Sequence, residues 1–275
     1  MSQEAIVCMD TVTKLDKSYA GRVVVAASHG GEFAAFCAAR AQVRAAIFND
    51  AGIGKDFEGI HALGYFDALG VPAATTSHLS ACVGNGQDNL ENGVISHVND
   101  AARKLGCTVN QSTQACARLM LSATAFDYAV PVKAESRTVI KRLGCIPIVV
   151  IDSLALLLPE DAQSIAVAGS HGAVLPLDDR LLLNGDALGA LFCDAGFGKE
   201  GIGVRRIQML DAFGKPGAAV SVTSARIGNG MSVLDGGILS FVNATATGYG
   251  ARVGMGAREY VSLLQDALSN QQRHA

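Results

Sequence analysis

The stretch Val23-Val24-Val25-Ala26-Ala27-Ser28-His29-Gly30 ends an apolar run on a Ser-His-Gly turn, and that turn returns as Ser170-His171-Gly172. At the same shift, Ile6-Val7-Cys8-Met9-Asp10-Thr11 recurs as Ile148-Val149-Val150-Ile151-Asp152-Ser153. After a two-residue insertion, Asp50-Ala51-Gly52-Ile53-Gly54-Lys55 recurs as Asp194-Ala195-Gly196-Phe197-Gly198-Lys199, and Gly84-Asn85-Gly86 recurs as Gly228-Asn229-Gly230. Gly93, Ser96 and Asn99 meet Gly237, Ser240 and Asn243 at that second shift. One register held across so many motifs predicts an internal duplication. The expected organisation is a first α/β repeat over 1–127, a connecting segment over 128–145 with a helical-looking stretch at 133–143, and a second α/β repeat over 146–275.

Within one copy, short apolar runs alternate with helical patterns. The runs at 5–9, 22–27, 44–48 and 72–76 read as strands. Segments 32–42, 57–69, 88–105 and 111–126 read as helices, and 258–268 is the counterpart of the last of these. In 88–105 the stripe Val94, Ile95, Val98, Ala101, Ala102 and Leu105 has helical spacing. Strands alternating with helices predict an α/β fold of two pseudo-twofold-related lobes, each a mostly parallel sheet flanked by helices. In such sheets a ligand sits beyond the carboxyl ends of the strands. The polar residues gather there: Asp10, Ser28, His29, Asp50 and Ser77 in the first copy, and Asp152, Ser170, His171, Asp194 and Ser221 in the second.

Composition narrows the partners. The 275 residues carry a net charge of −3, with apolar residues at 49% and charged residues at 17%. Basic residues are scattered, which argues against a nucleic-acid surface. No apolar run approaches the ~20 residues that span a bilayer. The opening Met1-Ser2-Gln3-Glu4 lacks the basic region of a signal peptide. Seven cysteines without a C-x-x-C pair suit a reduced, cytoplasmic protein. Abundant Ala and Gly with few charges point to a homo-oligomer.

Three kinds of turn are candidate site elements. A histidine just past a strand can act as general acid or base, so His29 and His171 are candidate catalytic residues, with Ser28 and Ser170 beside them. Gly30 and Gly172 allow close approach of backbone to a ligand. The Asp50–Lys55 and Asp194–Lys199 turns can offer N–H groups and a lysine charge to an anion. Asn85 and Asn229 sit in Gly-rich turns of the same kind. Asp10, Asp152, Ser77 and Ser221 complete the expected substrate contacts.

Differences between the copies mark specialisation. Cys82 faces Arg226, His78 faces Val222, Asn49 faces Cys193 and His97 faces Phe241. A thiol before a Gly-rich helix start is expected to have a lowered pKa, making Cys82 a candidate nucleophile or acid–base group. Arg226 in the mirrored place can grip a carboxylate. The insertion around 175–184 is a candidate lid or oligomer contact.

The order strand, His-Gly, strand, Asp-Ala resembles the caspase-type cysteine peptidases, which put their nucleophilic cysteine directly after Asp-Ala. Gly52 and Gly196 stand at that place here. The resemblance therefore implies no peptidase activity, and no family is recognised over the whole chain. The histidines and aspartates lack metal-ligand spacing, and no dinucleotide fingerprint follows a first strand, so neither a metal nor a cofactor is expected. The expected function is hydrolysis of a small polar amide or lactam-like metabolite. His29 or His171 would activate water, Asp50 or Asp194 would orient the base, and turn N–H groups would hold the oxyanion. A cofactor-independent racemase, isomerase or decarboxylase using Cys82 is the alternative. A non-catalytic binding or assembly protein is the third reading.

Overall fold

A computed structural model describes residues 5–125, 127–143, 145–176, 183 and 186–274. The chain divides into two compact units. Unit 1 comprises Met1–Ile53, Phe57–Ala134 and Gly198–Glu200; unit 2 comprises Gly54–Asp56, Glu135–Phe197 and Gly201–Ala275. Lys199 thus belongs to unit 1 and Lys55 to unit 2.

In unit 1 the elements are β1 (Ile6–Met9), β2 (Val23–His29), α1 (Glu32–Arg40), β3 (Ala45–Asn49), α2 (His61–Ala68), β4 (Ala73–Thr76), α3 (Gly86–Asn92), β5 (Ile95–Val98), α4 (Asp100–Lys104) and α5 (Thr113–Met120). The sheet runs β1-β2-β3-β4-β5; the first four strands are parallel and β5 is antiparallel to β4. Side chains alternate between the two faces, as the pleat requires. Val24, Ala26, Ala46 and Phe48 pack with Phe36 of α1 and Phe66 of α2. Val23, Val25 and Ile47 pack with Ala102, Cys116 and Met120 of α4 and α5. Burial on both faces explains why β2 and β3 read as continuous apolar runs.

In unit 2 the elements are β6 (Arg137–Ile140), β7 (Ile148–Ile151), β8 (Ile165–His171), β9 (Gly189–Cys193), α6 (Arg205–Leu210), β10 (Gly217–Val220), α7 (Gly230–Gly236), β11 (Leu239–Val242), α8 (Ala244–Gly248) and α9 (Ala257–His274). The sheet runs β11-β10-β9-β8-β7-β6, with four parallel inner strands and an antiparallel strand at each edge. Ile165, Val167 and Leu191 face Tyr260 and Leu264 of α9. Ala166, Ala168 and Phe192 face Ile207 and Leu210 of α6.

The fold is therefore α/β, but its sheets are mixed where mostly parallel sheets were expected. The antiparallel edges arise where a helix was read. Segment 88–105 is α3, then β5, then α4. Gly93 is extended, with φ −67° and ψ 143°, and takes the chain out of the helix; a side chain there would fall 2.2 Å from the Asn89 carbonyl oxygen and 2.5 Å from Thr113 Oγ1, so the exit requires glycine. Ile95 and Val98 then pair with Thr76 and Ala74. Asn99 starts α4 afresh: its side chain accepts from Ala102 N–H and Ala73 N–H and donates to the Val71 carbonyl. Ser96 and Asn99 consequently lie outside any long helix. The stretch 133–143 contains β6, not a helix. The last helix of unit 1 is shorter than read, Thr113–Met120, and Phe126 lies outside the described residues. Of the candidate lid, residues 177–182 and 184 lie outside them too.

Candidate functional site

The two Asp-Ala-Gly turns follow β3 and β9, at the carboxyl ends of central strands. Ala51, Gly52 and Ile53 have φ of 45°, 80° and 62°; Ala195, Gly196 and Phe197 have 50°, 69° and 62°. Successive left-handed residues are strained for all but glycine, and a β-branched isoleucine is the least suited. The aspartate ahead of each turn holds it. Asp50 Oδ1 accepts from Gly52 N–H at 3.2 Å and His78 N–H at 2.9 Å. Asp194 Oδ1 accepts from Gly196 N–H and Val222 N–H, both at 2.9 Å. Each aspartate is buried.

Beyond this shared role the two carboxylates differ. Asp194 takes the Ser240 hydroxyl at 2.7 Å on Oδ2. Asp50 takes the Nδ1 of His78, also at 2.7 Å, and the Ser96 hydroxyl. Burial alone would raise the Asp50 pKa. The His78 ring and backbone and Ser96 outweigh that, and its carboxyl is held below the ordinary carboxylate range. An ionised carboxylate fixes the proton of the imidazole on Nδ1 and leaves Nε2 as the acceptor. The His78 side chain is 18% exposed, against 3% for Asp50, so the pair is a buried anion under a partly open ring.

Lys199 and Cys82 lie on the same rim of unit 1. Lys199 N–H donates to the His78 carbonyl at 2.7 Å, and its ammonium donates to Asp88 Oδ1 at 2.7 Å. The other oxygen of Asp88 accepts from Cys82 N–H at 2.6 Å. The expectation of an activated Cys82 thiol fails. Burial comes first, and the charge of Asp88 and a hydrogen bond to it add to that; together they push the thiol up to about 11. Cys82 is a neutral thiol at physiological pH.

Most of the other sequence candidates are occupied by the chain itself. Ser28 Oγ accepts from Val12 N–H and Ser170 Oγ from Leu154 N–H, at 3.0 and 2.8 Å. The Nδ1 atoms of His29 and His171 accept from Gly31 N–H and Ala173 N–H, at 3.2 and 3.3 Å. Burial lowers the His29 pKa to about 4, which makes it a weak base. Side chains at Gly30 and Gly172 would strike the carbonyl oxygens of Gly59 and Gly203 at 2.5 and 2.7 Å, so these glycines serve chain packing. Asp10 accepts from Gly86 N–H, and Asp152 from Gly230 and Ser136 N–H. Asn85 and Asn229 cap α3 and α7. Ser77 Oγ accepts from Leu79 N–H, and Ser221 Oγ from Thr223 N–H.

The N–H groups expected to cradle an anion are likewise taken. Ala51, Gly52, Ile53 and Lys55 donate to the Asn49 side chain, Asp50 Oδ1, the Asp50 carbonyl and the Val222 carbonyl. Gly84 and Asn85 donate to the carbonyls of Ala27 and Cys82, and Gly86 to Asp10. Arg226 donates its N–H to Ser232 Oγ and pairs with Asp56 at 3.5 Å. The unit 1 pocket of about 520 Å³, lined by Asp67, Pro72, Asp100 and Lys104 among others, lies at the amino end of β4, away from these residues.

The structure thus brings together Asp50, Lys199 and Cys82 of the expected set and adds His78, Ser96 and Asp88. Among the described residues, no group of three or more His, Cys, Asp or Glu side chains could hold a metal. No helix among them is long and apolar enough to cross a membrane. In comparisons with protein-family models, curated proteins and solved structures, none matches this chain. Fold and site together define an α/β chain with two mixed sheets and, among the described residues, an Asp50–His78 pair on a strand-end rim.

Proposed function

We propose that this chain is an enzyme that hydrolyses a small polar amide or lactam, with His78 as general base and Asp50 as its positioning residue. One observation carries the reading: a buried, ionised carboxylate 2.7 Å from Nδ1 of a partly exposed histidine at the end of a parallel strand. In this mechanism Nε2 of His78 takes a proton from water as its oxygen bonds to the substrate carbonyl carbon. When the C–N bond breaks, the same nitrogen returns the proton to the leaving amine. With the turn N–H groups occupied, this reading assigns the forming oxyanion to Lys199, whose backbone N–H donates to the His78 carbonyl. This moves the catalytic role from His29 and His171 to His78. The matched segments of the sequence support reading the two units as products of one duplication. The low charge and high Ala and Gly content support a homo-oligomer, and seven cysteines without a C-x-x-C pair support a cytoplasmic location.

A second reading is favoured by Cys82, whose neutral thiol belongs to the same hydrogen-bonded cluster. A racemase or isomerase would use His78 to remove a proton and the Cys82 thiol to deliver one to the opposite face. The two readings separate on a panel of cyclic and linear amides and chiral acids. Hydrolysis predicts release of amine, a loss of at least about 100-fold in kcat for His78→Ala, and near-normal rates for Cys82→Ser. Isomerisation predicts solvent-deuterium uptake and loss in both variants. Full activity in His78→Ala would end both.

A further inference from the structure

We propose that unit 2 carries a binding site for a small oxyanion, a carboxylate or phosphate, built on Lys55 and Arg226 beside the loop after β10. The inference stands apart from the chemistry assigned to His78. Lys55 is half-buried, and its ammonium makes one long contact, 3.4 Å, to the Ser224 carbonyl. An ammonium has three protons to donate, and none of those of Lys55 meets a carboxylate among the described residues. Withdrawing such a charge from water is costly without a counterion. Lys199, at the equivalent place in its own sequence motif, has one in Asp88.

The missing counterion has a local cause. In unit 1, Asp88 Oδ2 accepts from Cys82 N–H. In unit 2, Ser232 Oγ accepts from Arg226 N–H at 3.0 Å. Serine thus keeps the backbone contact that an aspartate makes in unit 1 and removes the negative charge. Arg226 then adds a second cation. Its Nε stands 3.5 Å from Oδ2 of Asp56, the chain neighbour of Lys55, which sets one negative charge against the two positive charges of Arg226 and Lys55. The hydroxyls of Ser221 and Thr223, 2.8 Å apart, belong to the same loop after β10. Charge-assisted bonds from two cations, with hydroxyls alongside, are how proteins hold carboxylate and phosphate groups.

Calorimetric titration of the full chain with inorganic phosphate and, separately, with acetate tests the site. The expected result is saturable binding of at least one of them, weakened at least about tenfold in Lys55→Met. Ser232→Asp, which supplies the missing carboxylate while keeping the acceptor for Arg226 N–H, should weaken binding to the same degree. Lys14→Met, at an exposed lysine of unit 1, should leave it unchanged. The tighter of the two probes assigns the group as phosphoryl or carboxyl. No saturable binding of either up to about 20 mM, or equal affinity in wild type, Lys55→Met and Ser232→Asp, would overturn the proposal.

Discussion

Asp50 and Asp194 do the same structural work and end in different chemistry. Each holds a left-handed Asp-Ala-Gly turn and the second N–H after the neighbouring strand. That shared role needs only a backbone donor, which Val222 supplies as well as His78 does. The imidazole on Asp50 is therefore surplus to the turn, and a surplus ring on a buried anion is what a general base requires. The lysines diverge in the opposite sense. Lys199 is matched by Asp88, whereas Lys55 lacks a carboxylate partner among the described residues. Unit 1 has the Asp50–His78 pair and a lysine matched by Asp88; unit 2 has Val222 at the corresponding place and, among the described residues, no carboxylate on Lys55.

The largest effect expected from breaking this comparison is on stability. Asp50→Ala and Asp194→Ala each strand several buried donors and should both lower unfolding free energy by about 3–5 kcal/mol in denaturant titrations. If only one does, the shared turn role is wrong. Next, His78→Val copies unit 2 into unit 1. It should cut turnover about 100-fold, near 2.7 kcal/mol of barrier, and should cost less stability than Asp50→Ala, because the His78 backbone N–H stays on the carboxylate.

A third effect comes from His29, which stays neutral in the fold down to about pH 4 although its ordinary value is 6.5. Below the ordinary value the unfolded chain binds a proton that the folded chain refuses. Stability therefore falls as pH drops from about 6.5 toward 4, by about 2 kcal/mol after allowance for the ring's partial exposure. His29→Gln should flatten melting temperature across that window, and an unchanged slope would show that His29 is not desolvated. The smallest effect concerns the thiol. Alkylation of Cys82 by iodoacetamide should be slow at pH 8 and faster in Asp88→Asn, since the carboxylate is one of the groups raising its pKa.

The sequence displays the strand ends clearly because parallel strands buried on both faces are continuous apolar runs closed by polar residues. Asp50 was legible for that reason, Lys199 from the Gly-rich turn that follows β9, and Cys82 from its mismatch with Arg226. His78 was visible only as a mismatch with Val222, and attention to residues repeated in both segments favoured His29 and His171, whose ring nitrogens accept local backbone N–H groups. Ser96 was placed on a helix because Ile95 and Val98 fit helical spacing as well as strand spacing over so short a run. Gly93 was the signal that would have broken that helix. Asp88 was missed because its effect on Cys82 depends on the turn that folds the start of α3 back over the thiol.

The most direct test of the Asp50–His78 pair needs no substrate. Nitrogen-15 NMR of the histidine rings at neutral pH reports which nitrogen of His78 carries the proton. A carboxylate at 2.7 Å predicts a proton on Nδ1, held by Asp50, with Nε2 bare and the signal collapsing to a mixture of tautomers in Asp50→Asn. A proton resident on Nε2 in the unaltered protein would contradict it.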